Sequence, residues 1–190
     1  MMRNKINFIA LAAGISSLIL IVTSFFVPWW QFSAGSPASV QVNFSPVNFN
    51  VSHSGSSVAI PLILALNIAC LLTLLAGAIT LTIYSLKPTQ PYSKQLLGFG
   101  YKKPIYTLAA FIAILIAVPI LMQVLIGISI PINGSAVISP NGSNQSASVS
   151  TLINWPFYFA IVVTGLCIAA RFYHKNLNKP ITATPVPPPQ

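Results

Sequence analysis

"INFIALAAGISSLILIVTSFFVPWWQFS", residues 6 to 33, runs from Ile6 to Val27 without a charge and then meets a proline and two tryptophans. A hydrocarbon core about 30 Å thick is crossed by about 20 helical residues. The run is long enough to cross. It is also longer than the roughly 7–15 apolar residues of a secretory signal, and Trp29 and Trp30 interrupt the small-residue site that "SAGSPAS" at 33–39 would offer. The stretch therefore predicts a retained membrane helix over 6–27, with Pro28 fixing where it ends.

The remaining sequence has the same character. Of 190 residues 55% are apolar and 5% charged, and the mean hydropathy is +0.80. A water-soluble domain carries roughly 25% charged residues. Three further segments have spanning length, 58–86, 105–130 and 155–172, so the expected fold is an all-α integral membrane protein with four transmembrane helices in a bundle. Nine Lys and Arg face no Asp or Glu. Carboxylates have been excluded, and an acidic outer medium gives a physical reason, since Asp and Glu lose their charge near pH 4. That reasoning points to an acid-living archaeon or one of its viruses.

The cations also orient the chain. Arg3 and Lys5 lie in the N-terminal segment 1–5, Lys87, Lys94, Lys102 and Lys103 in the loop 87–104, and Arg171, Lys175 and Lys179 at or after the fourth helix. None lies in 28–57 or 131–154. The positive-inside rule then places both termini and the middle loop in the cytoplasm, in a plasma membrane or an envelope derived from it. Glycosylation acceptor triplets begin at Asn43, Asn50, Asn133, Asn141 and Asn144, all in the two segments assigned outside. The expectation is a glycoprotein.

Both outer loops carry the two-residue period of half-buried strands. Val40, Val42 and Phe44 alternate with polar residues, then Val47, Phe49 and Val51; in the second loop Ile128, Ile130 and Ile132 precede "SPNGSN", and Ala147, Val149 and Thr151 follow it. A lone hairpin is marginally stable, so the two loops are expected to pair into one small antiparallel β-layer over the bundle. Four helices with both termini inside, a longer strand-bearing first loop, a shorter second one and the exit "VPWWQ" together resemble the claudin-type tetraspan architecture. The resemblance rests on topology and on Pro28 and Trp30. The Gly-Leu-Trp and cysteine pair of that family are missing from 31–57, so barrier function is not implied.

The residue inventory leaves catalysis little to work with. Acid–base and nucleophilic sites recruit His, Asp, Glu or Cys. On this topology His53 and His174 fall on opposite sides of the membrane, and Cys70 and Cys167 lie at mid-depth, where cysteine behaves as a small apolar residue. No enzyme, metal site or cofactor is expected. Asn67 and Gln123, at similar depth, are expected to hydrogen-bond between helices two and three. Trp29, Trp30 and Trp155 are expected to anchor the outer interface. Pro119 should kink helix three, the lysine loop suits anionic lipid headgroups, and the proline-rich cytoplasmic tail 173–190 is expected to be extended or disordered over 179–190. Nothing reads nucleic acid. The leading expectation is a structural or assembly component of a surface, membrane or envelope complex, contacting lipids and other subunits or copies of itself. The alternatives are an accessory subunit of a redox or transport complex whose cofactors lie in other chains, and a channel or carrier for neutral solutes.

Overall fold

The computed structural model describes residues 6–35, 39–58, 61–88, 90–127, 129–138 and 146–177. Arg3, Lys5, Ile128, Asn141, Asn144, Lys179 and the proline-rich end of the sequence lie outside the described residues. Helix α1 spans Phe8–Phe26, α2 Pro61–Leu86, α3 Ser93–Gly100, α4 Lys102–Ile126 and α5 Trp155–Leu177. Strands β1 (Trp30–Ala34), β2 (Val40–Phe44), β3 (Asn50–His53) and β4 (Ser56–Val58) join α1 to α2, and β5 (Gly134–Ile138) and β6 (Ala147–Ile153) join α4 to α5. Four helical segments, Phe8–Phe26, Pro61–Leu86, Ser93–Leu125 and Trp155–Lys175, are long and apolar enough to cross a membrane.

Local chemistry sets the helix ends. Asn7 caps α1, its side-chain oxygen accepting from the Ala10 N–H at 3.0 Å. Proline at the first position of α2 lacks only an N–H that would go unused there. Gly127 closes α4 in the left-handed region (φ 71°), its N–H reaching back to the Gln123 carbonyl. That cap stops the helix at 126 rather than the expected 130. α5 continues to 177 rather than 172, with His174 and Lys175 in a last turn where cations favour the helix dipole. α4 runs through Pro119 without a break in helical assignment. The expected plain loop at 87–104 contains α3, which two glycines and three flanking prolines conceal in the sequence.

α1 is the central helix, packed chiefly against α2 and α5, while α4 packs on α5 and less closely on α2. Close approach is bought with glycine. A Cβ on Gly14 of α1 would collide with the Thr82 hydroxyl of α2, and one on Gly77 of α2 would lie 2.9 Å from the Lys103 Cβ of α4. One on Gly100 at the end of α3 would lie 2.8 Å from Leu81 Cγ and 3.0 Å from the Gly77 carbonyl oxygen. Glycine thus draws α2, α3 and α4 together at the end of the bundle away from the strands. A polar chain ties the same end: Asn7 Nδ2 donates to the Tyr84 hydroxyl (3.1 Å), which meets His174 Nδ1 at 2.8 Å, and the Asn7 N–H donates to the Ser85 carbonyl (2.9 Å). Asn7 and Tyr84 are fully buried.

The strands form a single six-stranded antiparallel sheet in the order β4-β3-β2-β1-β6-β5. The two loops therefore pair as expected, with β1 against β6 as the seam. Two details of the expected strands are corrected. Val47 leaves the sheet and is buried with Ile21 of α1 and Leu74 and Ala78 of α2, because Ser45 to Phe49 form a plug rather than a strand start. The strand before "SPNGSN" lies at 134–138 rather than 128–132: Pro131 cannot donate to a ladder, its carbonyl takes the Thr151 hydroxyl (2.9 Å), and Ile130 is buried. Ser54 and Gly55, with φ of 50° and 82°, close a two-residue turn between β3 and β4 that matches the hand of the strand twist.

The two glycines of α3 separate packing from propensity. Gly98 meets nothing within 4 Å, so Gly98→Ala should hold or raise stability by up to ~1 kcal/mol. Gly100→Ala should lower it by about 1–3 kcal/mol through overpacking against Leu81 and the Gly77 backbone. Thermal unfolding of the two variants in one detergent checks the contrast, and similar midpoints would contradict the packing described.

Candidate functional site: the outer-loop sheet and the cavity beneath it

Side chains alternate across a sheet, so pairing register assigns each residue a face. Trp30 lies opposite Phe44 and Ile153, Phe32 opposite Val42 and Thr151, and Val42 opposite Val51. This apolar face turns toward the helices. The other face carries Gln31, Ser33, Gln41, Asn43, Asn50, Ser52, Ser135, Ser148 and Ser150, with Val137 and Leu152 among them. Hydroxyls and amides link across it: Gln31 Nε2 donates to Asn43 Oδ1 (3.2 Å), Asn43 Nδ2 to Asn50 Oδ1 (3.3 Å), and the Ser33 and Ser150 hydroxyls meet at 2.6 Å. The face bears no charge.

The sheet is fastened to α1 where the chain leaves the helix. The Trp29 N–H donates to the Phe44 carbonyl (3.0 Å), and its own carbonyl accepts from the Asn154 N–H (2.9 Å). Asn154 Nδ2 adds a bond to the Pro28 carbonyl (2.9 Å). Ser24 is the hub below, accepting from Trp29 Nε1 (2.7 Å) at its hydroxyl and from the Ser45 hydroxyl (3.0 Å) at its carbonyl. Rings fill the space around Trp29: its centroid lies 4.9 Å from that of Phe111 of α4 and 6.4 Å from that of Phe157 of α5, and Phe44 stacks on Phe111 at 4.8 Å.

Trp29 and Trp30 are consequently not interface anchors. They are 2% and 4% exposed, and each indole N–H has a protein acceptor, Ser24 Oγ for Trp29 and the Ile132 carbonyl (2.9 Å) for Trp30. Trp155, at the start of α5, is 53% exposed. The expected contact between Asn67 and Gln123 is also corrected. Asn67 spends its amide on the plug, Oδ1 accepting from the Phe49 N–H and Nδ2 donating to the Phe49 carbonyl, both at 3.2 Å. Gln123 is exposed on α4. A backbone segment inserted between helices must satisfy its polar groups there, and this need outranks a helix-to-helix bond.

Asn43 and Asn50 stand side by side in the amide ladder, both half-buried, whereas Asn133 is exposed, its Oδ1 accepting from the Ile153 N–H at 3.4 Å. Cys70 and Cys167 are free thiols. Among the described residues no three His or Cys side chains gather as metal ligands. Below the apolar face, Trp30, Phe32, Phe44 and Val51 of the loop region, Leu66 of α2 and Val118 and Met122 of α4 line a half-open cavity of about 370 Å³ with no polar atom facing it. The arrangement offers an uncharged polar surface on an apolar bed.

β1 is the site element that sequence reasoning missed. Its signal was present in Trp30, Phe32 and Ala34 alternating with Gln31 and Ser33, but the proline and tryptophans drew that stretch into the helix exit. No protein-family model matches the chain, and no curated protein matches it in sequence.

Loss of the Asn67 clamp should be costly. Asn67→Ala leaves the Phe49 N–H and carbonyl without partners and is expected to destabilise by about 1–3 kcal/mol. Gln123→Ala should stay within about 0.5 kcal/mol of the parent. Equal losses in chemical unfolding would restore the pairing that the sequence suggested.

Proposed function

We propose that this chain is a non-catalytic, multi-pass membrane protein that builds a surface assembly with copies of itself or with neighbouring subunits. The observation that carries the reading is the sheet with its β5 edge. Edge strands present unpaired N–H and C=O groups and are normally blunted by lysine, proline or cover. β5 contains neither lysine nor proline, and its Val137 is 74% exposed. A strand from a second molecule would extend the sheet by main-chain hydrogen bonds.

The membrane setting is supported by the outward faces of the helices, where Phe26, Leu62, Val124 and Leu125 are among the most exposed side chains. Every cation among the described residues lies away from the sheet, on α2's end, α3, α4's start or α5's end. That supports both termini in the cytoplasm and the sheet outside, at a plasma membrane or an envelope derived from it. Four spans capped by a sheet drawn from both loops support the claudin-type comparison as architecture. An uncharged outer face suits an acidic exterior, and Asn133 is the described acceptor best exposed for a glycan.

Native mass spectrometry from a mild detergent tests assembly. An oligomer is expected from the parent and a monomer from Val137→Lys, with an unchanged thermal midpoint; a parent that is monomeric and free of partners at all concentrations would overturn the reading. Topology has its own check, in a background with Cys70 and Cys167 replaced by alanine. An impermeant maleimide added to intact cells should label Ser54→Cys, and should label Gln95→Cys only after permeabilisation.

A further inference from the structure

The end of the bundle opposite the sheet holds a cavity that the assembly reading does not use. It has a volume of about 180 Å³ and is lined by Lys94 of α3, Lys102 of α4, and Arg171 and Lys175 of α5, with Tyr101 and His174 between them. The cations come from three helices, so no single helix face accounts for their meeting. Arg171 is held against the wall, its guanidinium carbon 4.6 Å from the centroid of the Tyr101 ring. The imidazole of His174 is fixed from behind through Nδ1 by the Tyr84 hydroxyl (2.8 Å).

Gathering like charges in one concavity is unfavourable unless something opposes them. In most proteins the neighbouring carboxylates do so. This chain has no Asp or Glu, so no side-chain carboxylate can serve. We infer that the cavity binds a phosphate-class anion, a phosphate ion or a phosphomonoester group, whose oxygens accept from the Arg171 fork and the lysine ammonium groups. A phosphate fits this donor set better than a carboxylate: it brings up to two charges and three or more acceptor oxygens, where a carboxylate brings one charge and two oxygens in a plane. The volume leaves room for one such group. The group has two sources, an anionic lipid headgroup or free phosphate in solution. The lipid source rests on the membrane reading above; the free anion does not.

The test uses the full chain in a neutral detergent, titrated separately with inorganic phosphate and with a short-chain phosphatidic acid. Binding of at least one is expected, weakening as salt rises. Arg171→Gln should weaken it about fivefold or more, the worth of one cation near an anionic surface. Gly98→Leu gives a charge-neutral arm: Gly98 lines the cavity and a Cβ there meets nothing within 4 Å, so the variant should fold yet fill the space and weaken binding comparably. Lys87→Gln, outside the cavity, should leave binding unchanged. Phosphatidic acid alone binding identifies a headgroup, and equal binding of inorganic phosphate identifies a soluble anion; either supports the site. Binding of neither, full binding by Gly98→Leu, or an equal loss in Lys87→Gln would overturn it. Maleimide labelling decides the membrane reading separately, so the two failures are distinguishable.

Discussion

The backbone of Trp29 is held from both sides, its N–H by the Phe44 carbonyl and its carbonyl by the Asn154 N–H. Those two bonds bring the first loop, the second loop and the end of α1 to one point. The rest of the sheet end follows. β1 starts one residue later and can pair only with β2 and β6, the indole drops between Phe111 and Phe157, and Ser24 is engaged both by the indole and by the plug at Ser45. Chain that leaves a helix close to an apolar medium must satisfy its polar backbone within the protein. Here the constraint is met by making the exit itself the seam of a sheet.

The coarse architecture is legible because it depends on long averages. Four apolar runs of spanning length and the alternation at 40–44 and 147–151 survive single-residue exceptions. What failed to read out depends on long-range partners. Trp29 and Trp30 carry the composition of interface anchors, and only the positions of Phe111, Phe157 and Ile132 make them core. Asn67 looks like an interhelical polar residue until the plug at Phe49 is placed beside it. α3 is hidden by Gly98 and Gly100, of which the second is required by Leu81 on another helix. The basic cavity could not be read either, since Lys94 and Lys102 stand far in the sequence from Arg171 and Lys175 and meet them only through α3, α4 and α5.

The two ends of the molecule solve opposite problems with the same lack of acids. Around the sheet, polarity is supplied by amide and hydroxyl groups that satisfy one another across strands. At the far end, charge is concentrated and left to be balanced from outside the side-chain inventory. Between them the bundle is tight where Gly77 and Gly100 draw α2, α3 and α4 together, and open beneath the sheet, where aromatic side chains stand over an apolar space.

The amide and hydroxyl ladder has a thermodynamic corollary. Stability depends on pH only through groups that bind protons differently in the folded and unfolded chain, and acid unfolding usually proceeds through carboxylates that must be protonated. No member of the Gln31, Asn43, Asn50 network or of the Ser33, Ser150 pair takes up a proton in that range, and no carboxylate side chain stands elsewhere to do so. The cohesion of that amide and hydroxyl network is thereby uncoupled from the proton activity of the medium it faces.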